Sequence, residues 1–159
     1  MDVIDHLNEL AHMDAEERPE DIILFINSPG GSLPHTMQIV DTMRHMPFPV
    51  VTYGSGIVMS GGFALLMAGH PGYRCCSENT LLMSHQYTTG TEGKEHELKA
   101  SVREFEIISE MYMRHYRRYT KKSEAYIRKN LLPAHDVFMT ADEAQKHGIV
   151  DQVIRNSPK

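Results

Sequence analysis

The sequence predicts an α/β fold, because short apolar segments alternate with segments of helical periodicity along the 159 residues. The apolar run at residues 22–26 ends in Asn-Ser-Pro-Gly-Gly, and a helical pattern with Pro34 in its first turn follows it to about Met46. A second strand at residues 50–53 leads through a glycine-flanked segment into an apolar helix that ends near Gly69. A wholly apolar run is typical of a strand covered on both faces, so we expect a parallel sheet with right-handed crossovers.

The remaining elements follow from the same two periodicities. A surface helix at residues 3–13 precedes the first strand, and Thr140 and Gly148 are the expected N-cap and end of a helix at residues 141–147. Further predicted elements are strands at residues 73–77, 80–84 and 149–154, an apolar segment at residues 137–139, an extended arm at residues 87–93, and helices at residues 94–119 and 123–130.

The helix at residues 94–119 is unusually long for a chain of this size. It would span about 39 Å at 1.5 Å per residue, so we expect it to protrude as a handle and to pack against another subunit. One stripe at helical spacing holds its apolar side chains, which are Leu98, Val102, Phe105, Ile108, Tyr112 and Tyr116.

Length and composition favour one domain over residues 1–159 in a reducing, cytoplasmic compartment. The formal charge of −5 and the pI near 6.0 argue against a nucleic-acid partner. Cys75 and Cys76 are adjacent, which fits neither a disulfide framework nor a zinc motif, and the histidines lack the spacing of a helical zinc site. No apolar run approaches the ~18 residues of a membrane span. We therefore expect no metal, no cofactor and no membrane partner.

Ser60 is the strongest candidate for chemistry. It lies between small residues at a predicted strand-to-helix junction, where a substrate can approach closely. A serine attacks only if a base removes its proton and fixed donors receive the developing charge. His85 could be the base, and the backbone N–H groups of Gly30 and Gly31 could lie close to a bound carbonyl. Taken singly, Ser60 also suits a helix cap, and His85 suits a buried structural histidine.

Four motifs then occur in order over nearly the whole chain. They are Ile-Asn-Ser-Pro-Gly-Gly at residues 26–31, Met-Ser-Gly-Gly at 59–62, Met-Ser-His-Gln at 83–86, and Phe-Met-Thr-Ala-Asp-Glu-Ala at 138–144 followed by Gly-Ile-Val-Asp at 148–151. In order and separation they closely resemble the ClpP family, the proteolytic subunits of the Clp protease, which has a crotonase-type α/β fold.

The resemblance implies a Ser-His-Asp triad. Ser60 would be the nucleophile, His85 the general base, and Asp136 the carboxylate that orients the imidazole. The oxyanion donors would be the backbone N–H groups of Gly31 and Gly61. An extended peptide would be held by Gly30, Ser32, Leu33, Gln86, Tyr87 and Thr88.

The chain departs from the family pattern at several positions. The segment from Ser123 to Asp136 is slightly longer than the family's usual form, so Asp142 is an alternative to Asp136. Gly61 stands where the family usually has methionine, and Tyr87 where it has proline. The chain begins at what corresponds to the family's first long helix, so we expect the N-terminal strand and axial loop to be absent.

The resemblance also implies an assembly. Two stacked heptameric rings of this chain would enclose the active sites, and a Clp-type AAA+ ATPase would unfold and deliver protein substrates. The chain itself has no phosphate loop. Two alternatives stay open at this point: a catalytically inactive, ClpR-like ring subunit, and a crotonase-type enzyme that acts on acyl-CoA thioesters.

Overall fold

A computed structural model describes residues 2–155 of the chain and confirms the predicted alternation of strands and helices. Between those residues the elements are α1 (Val3–His12), β1 (Ile22–Ser28), α2 (Leu33–His45), β2 (Val50–Met59), α3 (Gly61–Met67), β3 (Arg74–Ser77), β4 (Leu81–Ser84), α4 (Glu95–Thr120), α5 (Glu124–Asn130), β5 (Val137–Met139), α6 (Ala141–His147) and β6 (Gln152–Ile154).

The strands form one sheet in the order β5-β4-β2-β3-β6, and β1 also pairs with β2. The pairings of β2 with β1, β3 and β4, and of β3 with β6, are all parallel. The carboxyl ends of parallel strands meet at one edge of a sheet, which is where ligands bind in α/β folds. The α/β prediction is therefore confirmed.

Strand β2 is much longer than predicted, and different parts of it pair with β3 and with β4. Its first half pairs with β3, and its last three residues, from Ile57, pair with β4. Between the halves, the side chain of Asn27 fills the space beside Gly56 and accepts a hydrogen bond from the backbone N–H of Ile57 at 3.2 Å. The sequence prediction ended the strand at residue 53 because the glycines at positions 54 and 56 resemble a turn. Gly54 pairs with Ile26 of β1 and Cys76 of β3, and the bond from Ile57 to Asn27, thirty residues earlier in the chain, supports the strand beyond Gly56.

The chain divides into two compact units. The first contains the described residues up to 83 and from 138 onward, and the second contains residues 84–137. In the first unit, α3 is buried against the sheet through Phe63, Leu66 and Met67. In the second unit, α4 packs with α5. The single domain over residues 1–159 stays a prediction.

Helix α4 confirms the predicted long helix, with bounds shifted by one residue. Its apolar stripe is divided along its length, because Ile108, Tyr112 and Tyr116 are buried within the second unit. The stripe residues nearer the N-terminus remain exposed, and they are Leu98, Val102 and Phe105.

From α6 onward the elements also follow the prediction, with one difference. Thr140 caps α6 by accepting a hydrogen bond from the Glu143 N–H at 3.3 Å. Strand β6 begins at Gln152 rather than at residue 149, because the N–H of Ile149 closes the end of α6 by binding the carbonyl of Ala144.

Within residues 2–155, no helix combines the length and apolar character needed to cross a membrane. The cytoplasmic compartment stays a prediction.

Candidate active site

Ser60 occupies the sharp turn between β2 and α3 in the first unit. Its backbone has φ 52° and ψ −117°, a combination that side-chain-bearing residues adopt rarely and at a cost of about 1–3 kcal/mol. The Ser60 N–H donates to the carbonyl of Met83 at 3.0 Å, and the side chain makes no capping hydrogen bond to α3. A strained strand-to-helix turn of this kind presents a nucleophilic serine at the end of a parallel strand in α/β hydrolases. The geometry favours a nucleophile over a helix cap.

Gly30 packs directly against the Ser60 turn. A Cβ atom placed on Gly30 would lie 2.6 Å from Cβ of Ser60 and 2.8 Å from the amide nitrogen of Gly61, and the φ of Gly30 is +102°. The Gly30 N–H is fixed by a 3.1 Å hydrogen bond to Oγ of Ser28. Only glycine fits this position, so the turn between β1 and α2 is held in contact with the turn that carries Ser60.

The two predicted oxyanion donors are neighbours in the same unit. A Cβ atom placed on Gly61 would lie 3.5 Å from the amide nitrogen of Gly31 and 2.5 Å from Oγ1 of Thr36. The Thr36 hydroxyl, on α2, donates to the carbonyl of Ser32 at 3.0 Å. Thr36 therefore occupies the volume that a side chain at position 61 would need, which explains how glycine is accommodated where the family usually has methionine.

His85 and Asp136 lie in the second unit, where both line one cleft of about 360 Å³. His85 directly follows β4, and Asp136 is an exposed residue directly before β5. Nδ1 of His85 lies 3.4 Å from the hydroxyl of Thr88, which was predicted only as a substrate-binding residue. His135 also faces this cleft. The structure thus brings together the predicted base and the predicted carboxylate.

The alternative carboxylate, Asp142, has a different environment. It lies in the first turn of α6, in the first unit, and forms an ion pair with Arg155. A carboxylate in the first turn of a helix interacts favourably with the helix dipole. The ion pair and the helix dipole are enough to explain a carboxylate at position 142, so Asp142 needs no catalytic role.

A second cleft of about 560 Å³ shares Gln86, Tyr87 and Phe105 with the cleft that contains His85. The ring centroids of Tyr87 and Phe105 are 5.8 Å apart, and Tyr112 also lines the larger cleft. In the sequence, Phe105 and Tyr112 are recognisable only as members of the apolar stripe of α4. Helical spacing placed them on one face but could not identify what that face contacts.

In the part of the chain that the structure describes, no group of three or more His, Cys, Asp and Glu side chains is arranged to hold a metal ion.

A family model for Clp protease matches residues 3–157. The chain belongs to the Clp protease family. The family resemblance and the fold class that it implied are thereby confirmed.

Three relatives of the Clp protease family illustrate the match. The ATP-dependent Clp protease proteolytic subunit 2 of Thermobifida fusca is 34% identical over 152 residues, which cover 96% of this chain and 74% of the relative. The ATP-dependent Clp protease proteolytic subunit of Deinococcus radiodurans is 33% identical over 146 residues, covering 92% and 71%. The ATP-dependent Clp protease proteolytic subunit 1 of Rhodopirellula baltica is 34% identical over 154 residues, which cover 94% of this chain and 65% of the relative.

Proposed function

We propose that this chain is a serine endopeptidase of the Clp type that cleaves unfolded proteins and peptides. The observation that carries the proposal is the turn at Ser60, whose strained backbone is packed against Gly30 and lies beside the neighbouring backbones of Gly31 and Gly61. A nucleophile next to two backbone donors is the arrangement that acyl transfer requires. The relatives, which are named as proteolytic subunits, support the same reaction class.

In the proposed reaction, Oγ of Ser60 attacks the carbonyl carbon of the peptide bond while the His85 imidazole takes the hydroxyl proton. The negative oxygen that forms is bound by the N–H groups of Gly31 and Gly61, and removal of one such donor typically lowers the rate about 10²–10³-fold. The C–N bond then breaks as His85 gives the proton to the leaving amine. Water, activated by the same imidazole, hydrolyses the acyl-enzyme, and Asp136 orients the ring throughout.

We further propose that the substrate binds as an extended strand. Backbone groups of residues 30–33, in the first unit, and residues 86–88, in the second, would hydrogen-bond the peptide main chain. Main-chain recognition does not depend on side-chain identity, so it suits an enzyme that degrades many sequences. The two clefts beside Gln86 and Tyr87, of which the larger is mainly apolar, are available for substrate side chains.

We also propose that the chain assembles into stacked heptameric rings and receives substrates from a Clp-type AAA+ ATPase. Three exposed apolar side chains on one face of α4 support an interface there. The relatives' descriptions as ATP-dependent support the ATPase partner. Enclosure in such a particle would exclude folded proteins from the active sites.

Covalent labelling with a fluorophosphonate tests the nucleophile. We expect the assembled protein to react at Ser60, with the label located by mass spectrometry, because an activated serine attacks the phosphorus as it would a carbonyl. Ser60→Ala should abolish both labelling and peptide hydrolysis. Ser55→Ala, a matched change on the partly buried strand β2, should leave both unchanged.

Two results would contradict the proposal. If the assembled chain is not labelled and does not cleave peptides, the inactive ClpR-like ring subunit is favoured, since it would belong to the same family. If the chain turns over an acyl-CoA thioester at a rate that Ser60→Ala does not change, the crotonase-type alternative is favoured, because that chemistry needs the glycine N–H groups but no serine nucleophile.

A further inference from the structure

A chain of buried hydroxyl groups lies in the second unit, immediately beside His85. Oγ of Ser84 is 2.6 Å from Oη of Tyr116 and 2.6 Å from the carbonyl oxygen of Leu131. Oη of Tyr116 is in turn 3.2 Å from Oη of Tyr112. The chain therefore joins the residue before His85 to helix α4 and to the segment that leads to Asp136.

The direction of these hydrogen bonds follows from counting protons. The Leu131 carbonyl can only accept, so Ser84 uses its single proton there. Tyr116 must then donate to Ser84, and Tyr112 must donate to Tyr116. Burial raises the pKa of Tyr112 to about 12, and burial together with the neighbouring Tyr112 raises the pKa of Tyr116 well above its usual value. Both phenols therefore keep their protons at neutral pH, and the chain has one fixed orientation.

The residue after His85 makes a second connection to the same segment. Nε2 of Gln86 donates to the carbonyl of Leu132 at 2.9 Å. Thus the side chains on both sides of His85 bind consecutive carbonyls, those of Leu131 and Leu132, at the start of the loop that ends in Asp136. Ser84 and Tyr116 are both 0% exposed, so water cannot replace a hydrogen bond that is lost.

We propose that Ser84, Gln86 and Tyr116 are positioning residues that fix His85 relative to Asp136. This inference rests on the proposed function, in which His85 and Asp136 act as a pair. The hydrogen bonds of Ser84 and Gln86, on either side of His85, join the end of β4 to the loop that carries Asp136. The buried phenol of Tyr116 orients the Ser84 hydroxyl. Small errors in such a geometry lower the rate strongly while leaving peptide binding largely intact.

The test compares Tyr116→Phe with Tyr112→Phe and Tyr73→Phe in the assembled protein. Tyr116→Phe removes the donor to Ser84 and keeps the ring, so kcat per site should fall about 10-fold or more while KM stays within about twofold. Tyr112→Phe removes only the last donor of the chain and should have a smaller effect. Tyr73→Phe, an equal change at a 49% exposed tyrosine in the first unit, is the control.

Sites are counted by fluorophosphonate titration, which separates positioning from stability. A residue that matters only for folding would reduce the number of titrated sites and leave kcat per titrated site unchanged. That result for Tyr116→Phe, or a change in KM alone, would overturn the proposal. Ser84→Ala and Gln86→Ala should reproduce the loss of kcat per site.

A chemical readout keeps the inference separate from the proposed peptidase activity. Reaction of His85 with diethyl pyrocarbonate, followed residue by residue by mass spectrometry, needs no catalysis. The rate should rise about threefold or more in Tyr116→Phe and Ser84→Ala, because a loosened segment is open to the reagent for more of the time. It should not rise in Tyr73→Phe. An unchanged rate would overturn the positioning role, whereas an inactive wild-type protein with the expected change in rate would overturn only the proposed function.

Discussion

At the scale of single residues, the candidate site depends on backbone conformation as much as on side-chain chemistry. The unusual φ and ψ of Ser60 are held by the hydrogen bond to the Met83 carbonyl and by the close contact with Gly30. A strained backbone conformation of this kind persists only when contacts from the surrounding structure hold it in place. The proposed nucleophile is therefore positioned by main-chain contacts from two other segments of the first unit.

Gly30→Ala should abolish peptidase activity. The new Cβ would overlap Cβ of Ser60 and the amide of Gly61, so the Ser60 turn must move, and a displacement of about 1 Å can cost roughly 10²-fold in rate. The matched control is Gly72→Ala, because Gly72 has a similar φ of +90° but open space where a Cβ would lie. Both variants should lose about 1–2 kcal/mol from the backbone strain alone.

Urea unfolding and peptide hydrolysis measured on both glycine variants would separate the two effects. Gly72→Ala should lose stability with its activity per folded molecule intact. Full activity in Gly30→Ala would show that the turn does not need the contact with residue 30.

At the scale of elements, a partly buried ion pair joins β3 to the segment that leads into β6. Nε of Arg74 donates to Oδ2 of Asp151 at 2.9 Å, and the N–H groups of Gly72 and Arg74 bind the same oxygen at 2.8 and 3.1 Å. Another guanidinium nitrogen donates to the carbonyl of Gly148 at 3.0 Å, just after α6. One arginine thus fixes the end of α6 and the start of β6 against β3.

Asp151→Asn should destabilise the protein by about 2 kcal/mol at pH 7, because it leaves the buried Arg74 guanidinium without its counter-ion. Glu95→Gln is the control, since its ion pair with Lys99 is exposed on α4 and should contribute little to stability. The measurement is the free energy of unfolding in urea. Equal stability of the two variants would show that the Arg74–Asp151 pair contributes no more than a surface pair.

The same pair predicts how stability depends on pH. Burial alone raises the pKa of Asp151, but the hydrogen bonds from Arg74, its charge and the Gly72 N–H outweigh burial, so the pKa lies below its usual value. A carboxyl with a lowered folded-state pKa adds stability above its unfolded pKa of about 3.9, and the contribution is lost as the pH falls through the folded value. The wild type should therefore lose more stability below about pH 4 than Asp151→Asn does. Parallel pH profiles would contradict this.

At the scale of the whole molecule, helix α4 has more apolar surface than its own unit covers. Leu98 and Phe105 are each 38% exposed and Val102 is 60% exposed, and all three belong to one stripe at helical spacing. Contiguous exposed apolar side chains commonly mark an interface. This is the surface on which we expect two rings to meet.

Val102→Glu should prevent the rings from stacking. A carboxylate in the centre of an apolar interface must lose its hydration without a partner, so the double ring should dissociate. Ala100→Glu introduces the same charge at an exposed position on the opposite side of the helix and is the control. Sedimentation at micromolar concentration should give a double ring for the wild type and the control, and a smaller species for Val102→Glu. A monomeric wild type would contradict the proposed assembly.

Much of the fold could be predicted from the sequence because its signals are local. Apolar runs of strand length, Thr140 as an N-cap and Gly148 as a helix end depend on neighbours within a few residues, and each is confirmed. The predictions that missed their bounds depend on distant partners. Strand β2 continues past residue 53 because Gly54 pairs with β1 and β3 and Asn27 binds the Ile57 N–H. Strand β6 starts late because α6 uses the N–H of Ile149.

For the candidate site, the sequence by itself determined which residue types stand at which spacing, and through them the family and the proposed roles of Ser60, His85 and Asp136. Only the tertiary structure decided the backbone strain at Ser60, the exclusion of any side chain at Gly30, and the hydroxyl chain that links Ser84 to Tyr116. The physical reason is the distance along the chain over which each feature is determined. A motif records the order of residues along the chain, whereas strain, steric exclusion and buried hydrogen bonds arise between atoms that the chain brings together from far apart.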